Sequence, residues 1–111
     1  MSKKHAPSIV IACLAMPISL WATQAQANEA LAKKYACVAC HQAEKKVVGP
    51  AWKEIAAKYK DTISVEELAA RIKKGGSGKW GPVPMPAQGT IPDADLTSLA
   101  TWILHGATFF F

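Results

Sequence analysis

Five residues, Cys37-Val38-Ala39-Cys40-His41, constrain this 111-residue chain more than any other stretch. Two thiols separated by two residues can add to the two vinyl groups on one edge of a porphyrin. The histidine that follows at once places an imidazole nitrogen under the iron. Read as a haem attachment site, the run makes Cys37 and Cys40 the thioether residues and His41 the proximal axial ligand. A chain built on it must wrap its helices around a flat, rigid hydrophobe. The same spacing alone also serves a redox dithiol or half of a zinc site, so the remaining sequence has to decide.

Ahead of the motif, Lys3 and Lys4 precede a mostly apolar run from Pro7 to Ala22, and Ala25-Gln26-Ala27 has the form of a cleavage site. The expectation is a signal peptide over residues 1–27, leaving 28–111 as one monohaem domain exported to the periplasm. A retained anchoring helix is the first alternative, but the run contains Pro7 and Pro17 and falls short of the roughly 20 residues a membrane span needs. No stable membrane insertion is expected after cleavage. Lipidation at Cys13 is the second, opposed by the apolar run from Leu14 to Trp21 that continues beyond it. Cleavage also removes Cys13, so the two cysteines left are those of the motif, in a compartment where unprotected paired thiols oxidise.

Charge narrows the class further. The chain has 13 basic and 8 acidic residues, and losing Lys3 and Lys4 leaves a net +3 before the two propionates of a haem are counted. That is too little, and too dispersed, for a nucleic-acid surface. A domain this small also buries too little apolar surface to be comfortable alone, a deficit that a covalently held cofactor corrects.

The pattern along the rest of the chain is all-α. Asn28 to Ala36 reads as a short helix with Asn28 as N-cap and with Leu31 and Tyr35 on one face. Glu44 to Val48 reads as a charged, mobile loop closed by Gly49-Pro50. Trp52, Ile55 and Tyr59 then recur at helical spacing. The next helix has the clearest signals: Ser64 and Glu67 as a capping box, Val65, Leu68 and Ile72 on one face, and Lys73-Lys74 before Gly75-Gly76. Residues 77–92 carry too many glycines and prolines for helix or central strand, and the Trp80, Val83 and Met85 side chains argue for an ordered loop packed on something apolar. A last helix starts near Pro92 or Asp93, has Leu96, Leu99 and Ile103 as its stripe with Trp102 beside it, and ends at Gly106.

A second axial ligand has to come from downstream, where Met85 and His105 are the candidates. Met85 stands between Pro84 and Pro86, which fix the backbone and present the thioether. A methionine by itself is more often a filler of core gaps. His105, at the end of the last helix, reads as a surface residue near the carbonyl end of the helix.

In these residues the chain resembles the short bacterial class I cytochromes c, the c-551/c-552 group. The resemblance runs from Leu31 to Leu104 and rests on the Cys-x-x-Cys-His run, Val48-Gly49-Pro50-Ala51-Trp52, Ala70-Arg71-Ile72-Lys73, Trp80-Gly81-Pro82-Val83-Pro84-Met85-Pro86 and Leu99-Ala100-Thr101-Trp102-Ile103-Leu104. It implies the class I fold, four to five short helices around one covalent haem c with His41 and Met85 on the iron. It also implies that the Pro50 carbonyl accepts the outer imidazole proton of His41, that Arg71 and Trp80 hydrogen-bond a haem propionate, and that Trp102 packs near the crossing of the last helix with the first. From the residues alone, Arg71 reads as a solvated helix arginine and Trp80 as a core tryptophan. The family often has an asparagine reaching the methionine sulfur, whereas Gln88 is the nearest amide here and the loop is one residue longer. The Phe109-Phe110-Phe111 tail matches nothing in the pattern.

The expected function is that of a soluble periplasmic electron carrier, not an enzyme, since ligation by His and Met leaves no open position on the iron. Expected partners are redox proteins such as a terminal oxidase, a nitrite reductase or a cytochrome peroxidase, with a quinol-oxidising complex upstream. Lys33, Lys34, Lys45, Lys46 and Lys79 are candidates to surround the exposed haem edge, against the plainer reading of ordinary solvated lysines. The alternatives are a haem-based ligand sensor or small peroxidase in which Met85 swings off the iron, and a dithiol oxidoreductase, for which the sequence lacks a βαβ pattern.

Overall fold

The computed structural model describes residues 2–12 and 28–108; the expected cleavage site, Cys13 and the Phe109–Phe111 tail lie outside them. Four helices form the domain, and the described residues contain no strand beyond two isolated bridges. Residues 28–34 are helical and are called α1 here. A single 3-10 turn, Cys37–Ala39, then leads to α2 (Trp52–Tyr59), α3 (Val65–Lys74) and α4 (Asp93–Leu104).

The expected first helix stops two residues early. Tyr35 and Ala36 form a turn, and Ala36 takes a left-handed conformation (φ 59°, ψ 21°) that redirects the chain into the Cys37 turn. At α2 the Glu54 carboxylate accepts from the Ala51 backbone N–H at 3.0 Å, while the Trp52 and Lys53 N–H groups reach the carbonyls of Gln42 and Ala43. Half of the capping box expected at α3 forms. Ser64 Oγ accepts from the Glu67 N–H at 3.1 Å, but the Glu67 carboxylate turns to Arg71 on the next turn of the helix. An arginine one turn away competes for it as a charged partner.

α4 is the element on which both α2 and α3 pack. Leu96 and Leu99 are its fully buried side chains, and Ala100, Trp102 and Ile103 continue the contact into Trp52, Ile55 and Tyr59 of α2 and Leu68 and Ile72 of α3. Each such aliphatic side chain contributes about 1.5–3 kcal/mol by leaving water. Ala32 of α1 is wholly buried in the same cluster, which places α1 against it. Tyr35 Oη donates to Asp95 in the first turn of α4 at 2.6 Å and ties the two ends of the domain together. That bond, with partial burial behind it, raises the Tyr35 phenol above its ordinary value. At the far end of α4, Gly106 (φ 89°) reverses the chain and the Ala107 N–H returns to the carbonyl of Trp102 at 2.9 Å. His105 is exposed there, its Nδ1 2.7 Å from the carbonyl of Thr101.

Candidate functional site

The loop after the motif is organised around the His41 ring. His41 is the one buried charged or polar side chain among the described residues, at 7% exposure. Its Nδ1 lies 2.7 Å from the carbonyl of Pro50, and one face of the ring stacks on Trp52 with centroids 4.5 Å apart and planes 22° off parallel. With Nδ1–H donating to Pro50, the proton is fixed on that nitrogen and Nε2 keeps its lone pair for a metal. Gly49 makes the fit possible, because a Cβ there would stand 2.6 Å from Cε1 of His41. The Gly49 N–H donates to the carbonyl of Cys40, and residues 44–48, expected as a charged, mobile loop, are instead tied down by this bond and by the pairing of His41 with Lys46.

Cys37 and Cys40 are both half-buried and are not joined in a disulfide. Burial pushes the Cys37 thiol up, and the neighbouring Cys40 adds to the shift.

Met85 is held from the opposite end of the chain. Its N–H and carbonyl exchange hydrogen bonds with Gly76 at 2.8 and 3.0 Å, just past α3, and the Gln88 N–H reaches the carbonyl of Lys73. Gly75 allows this approach: at φ 65°, ψ −164° it has a conformation open essentially to glycine alone, and a Cβ there would lie 2.5 Å from the Met85 carbonyl oxygen. The loop is thus ordered, as expected, but by backbone pairing. Met85 is half-buried against the core, while the other described residues leave Trp80 37% and Val83 60% exposed. The Gln88 side-chain amide donates to the carbonyl of Pro86 at 3.1 Å.

Arg71 and Trp80 are joined through Tyr59. The Trp80 ring meets Tyr59 edge-on at 5.9 Å, and the Arg71 guanidinium lies over the Tyr59 ring at 5.0 Å. Arg71 Nη2 pairs with Glu67 at 2.5 Å, whereas Nη1 is buried and meets no acceptor among the described residues. A buried guanidinium nitrogen without an acceptor is costly, and a carboxylate is the group its geometry matches best. Sequence reasoning without the family would have missed this, because a helix arginine gives no sign of which way its fork points.

Comparison with known proteins agrees with this geometry. The family model described as "Cytochrome C oxidase, cbb3-type, subunit III" matches residues 23–103. Cytochrome c-552 of Nitrosomonas europaea is 56% identical over 86 residues, 77% of this chain and 84% of that protein. Cytochrome c-551 of Pseudomonas aeruginosa is 47% identical over 81 residues, 72% of this chain and 77% of that protein. The crystal structure of wild-type Nitrosomonas europaea cytochrome c552 superposes with a TM-score of 0.67 at 54% identity, covering 70% of this chain and 98% of that one. By these matches the chain, an electron-transfer protein that carries a covalently bound c-type haem, works with other redox proteins and is not an enzyme, belongs to the short class I cytochromes c of the c-551/c-552 group.

Proposed function

We propose that the chain is a periplasmic electron carrier of a respiratory chain, with Cys37 and Cys40 as the thioether residues, His41 and Met85 as the axial ligands, and Arg71 and Trp80 toward a propionate. The observation that carries this reading is the His41 imidazole, buried directly after the two thiols and fixed by Pro50 at 2.7 Å. The donor set fits the group: two thiols for two vinyls, one nitrogen left free to bind a metal, a thioether, and a buried guanidinium nitrogen seeking an acceptor. When bound, the haem supplies a one-electron couple, and ligation by His and Met in both oxidation states leaves no position for a substrate.

The residues of the chain do the rest. Pro50 holds the imidazole in one tautomer, and the stack on Trp52 limits its rotation. A ligand that cannot turn keeps one geometry as the charge on the metal changes. The pairing of Gly76 with Met85 fixes the backbone on the other side. Residues 1–27 are read as a signal peptide, supported by Lys3, Lys4, the apolar run and Ala25-Gln26-Ala27. Among the described residues no helix is long and apolar enough to cross a membrane. Suitable partners are a quinol-oxidising complex upstream and a terminal oxidase, nitrite reductase or cytochrome peroxidase downstream.

The test is the absorption spectrum of the protein purified from the periplasm, beside Met85→Ala. A low-spin c-type spectrum in the parent, with loss of the ferric sulfur-to-iron charge-transfer band and binding of added imidazole in Met85→Ala, is expected. A high-spin parent, or a band that survives the substitution, overturns the ligand assignment.

A further inference from the structure

Trp80 lies on a loop of glycines and prolines, is more than a third exposed, and yet has a defined place. Much of that place is set by Lys58, an α2 residue outside the attachment motif. The Lys58 ammonium sits over the Trp80 ring, 4.4 Å from its centroid, and 5.3 Å from the centroid of Tyr59. The same nitrogen donates to the backbone carbonyl of Lys79 at 3.2 Å, so it grips both the indole and the peptide that precedes it. Trp80 also rests edge-on against Tyr59, and the Arg71 guanidinium lies over the Tyr59 ring. Lys58 therefore touches both rings of the pair, and Arg71 touches the Tyr59 ring. The arrangement ties the distal loop to α2 and α3 at the point where Arg71 presents its unpartnered Nη1.

We propose that Lys58 is a positioning residue for the cofactor's carboxylate edge, clamping the indole of Trp80 through its ring face and through the Lys79 carbonyl so that the indole N–H is held beside the Arg71 fork. The energetics favour a clamp over an incidental contact. An exposed cation over a single ring is a weak attraction, but here one ammonium makes a ring contact and a backbone hydrogen bond together, and both hold the same two residues. A lysine stem suits the task, because its methylenes can lie along apolar surface while its head remains in water. The loop has little else to hold this stretch: between the pairing of Gly76 with Met85 and α2, the Gly78 N–H to Gly81 carbonyl bond at 2.8 Å is a turn within the loop itself.

The clamp rests on the reading of Trp80 as a propionate donor, and the experiment separates the two. Hydrogen exchange of the tryptophan indole N–H groups and the reduction potential are measured in the haem-loaded protein for the parent, Lys58→Met, Lys58→Arg and Trp80→Phe. Lys58→Met keeps the apolar stem and loses the ammonium. It should speed exchange at the Trp80 indole roughly three- to tenfold, the opening expected from losing one exposed ring contact and one hydrogen bond. The indoles of Trp52 and Trp102 should keep their parental rates, and the potential should move in the same direction as in Trp80→Phe. Lys58→Arg, which restores a cation and a donor, should bring back both readouts. A Trp80 indole that exchanges at the parental rate in Lys58→Met, or equal acceleration at all three indoles, overturns the clamp. An unchanged potential in Trp80→Phe instead overturns the propionate role of the indole, and with it any purpose for the clamp at the cofactor.

Discussion

Ala36 carries a backbone conformation that an L-residue with a Cβ adopts at a cost of about 1–2 kcal/mol. It does so at the join between α1 and the Cys37 turn, where the helix gives way to the attachment run. The side chain is exposed, so its methyl group gains little burial in return. Ala36→Gly removes the strain and adds back some freedom to the unfolded chain, for a net stabilisation of about 0.5–1 kcal/mol. Denaturant unfolding of the haem-loaded protein checks it: the midpoint should rise with an unchanged slope, and a lower midpoint would show that the alanine is not strained. Ala107 gives the contrast. Its φ is 48°, but its side chain is 2% exposed, and a glycine there would lose buried surface as it relieved strain. Nothing in the sequence distinguishes these two alanines from the helical ones, because a left-handed alanine is imposed by its surroundings and leaves no mark in residue type. The attachment run was legible for the opposite reason: its chemistry lies in residue type and spacing alone.

Among the elements, the junction of α3 with the distal loop is one that a single methyl group can break against backbone. Gly75 lies in a region of backbone space that costs other residues about 1–3 kcal/mol, and a Cβ would meet the Met85 carbonyl at 2.5 Å, the Ala87 nitrogen at 2.7 Å and the Pro86 carbonyl carbon at 2.8 Å. All three neighbours are backbone, so none can step aside as a flexible side chain could. Gly75→Ala should therefore destabilise the protein by at least about 2 kcal/mol and pull the Met85 segment away from Gly76. A weakened ferric sulfur-to-iron band together with a lower unfolding midpoint is the expected result. A parental band in a folded Gly75→Ala protein would show that the loop holds Met85 without this junction. The sequence marked Gly75 as a helix stop, and the helices themselves were legible from the spacing of Trp52, Ile55 and Tyr59 and of Leu96, Leu99 and Ile103. It did not show that the same glycine admits the Met85 backbone, since a two-residue bridge has no periodicity.

On the scale of the whole molecule, the lysines are not equivalent. Lys33 pairs with Glu29 at 2.8 Å and its charge is partly spent within α1, and Lys34 leans over the Tyr35 ring at 5.2 Å. Lys45 and Lys46 are exposed, and the sequence between the motif and Gly49 puts them beside Val47 and Val48, apolar side chains that are about half exposed. That combination, two cations without an ion pair among the described residues next to apolar side chains adjoining the His41 loop, suits a transient redox interface: charge to gather the partner, apolar contact to let it settle. The net charge of the full chain, +5, is modest, so steering has to come from such a local patch. Complementary charge acts mainly on the association rate, and a Debye length near 10 Å at about 0.1 M salt screens it. Electron transfer to an acidic redox partner should then slow as ionic strength rises, and Lys45→Glu with Lys46→Glu should slow it at low salt while leaving the reduction potential close to the parent's. Stopped-flow rates across a salt series, for parent and double variant, decide the matter. Parent and variant with the same rate at every ionic strength would mean that the partner docks on the valines alone and that these lysines are ordinary solvated residues.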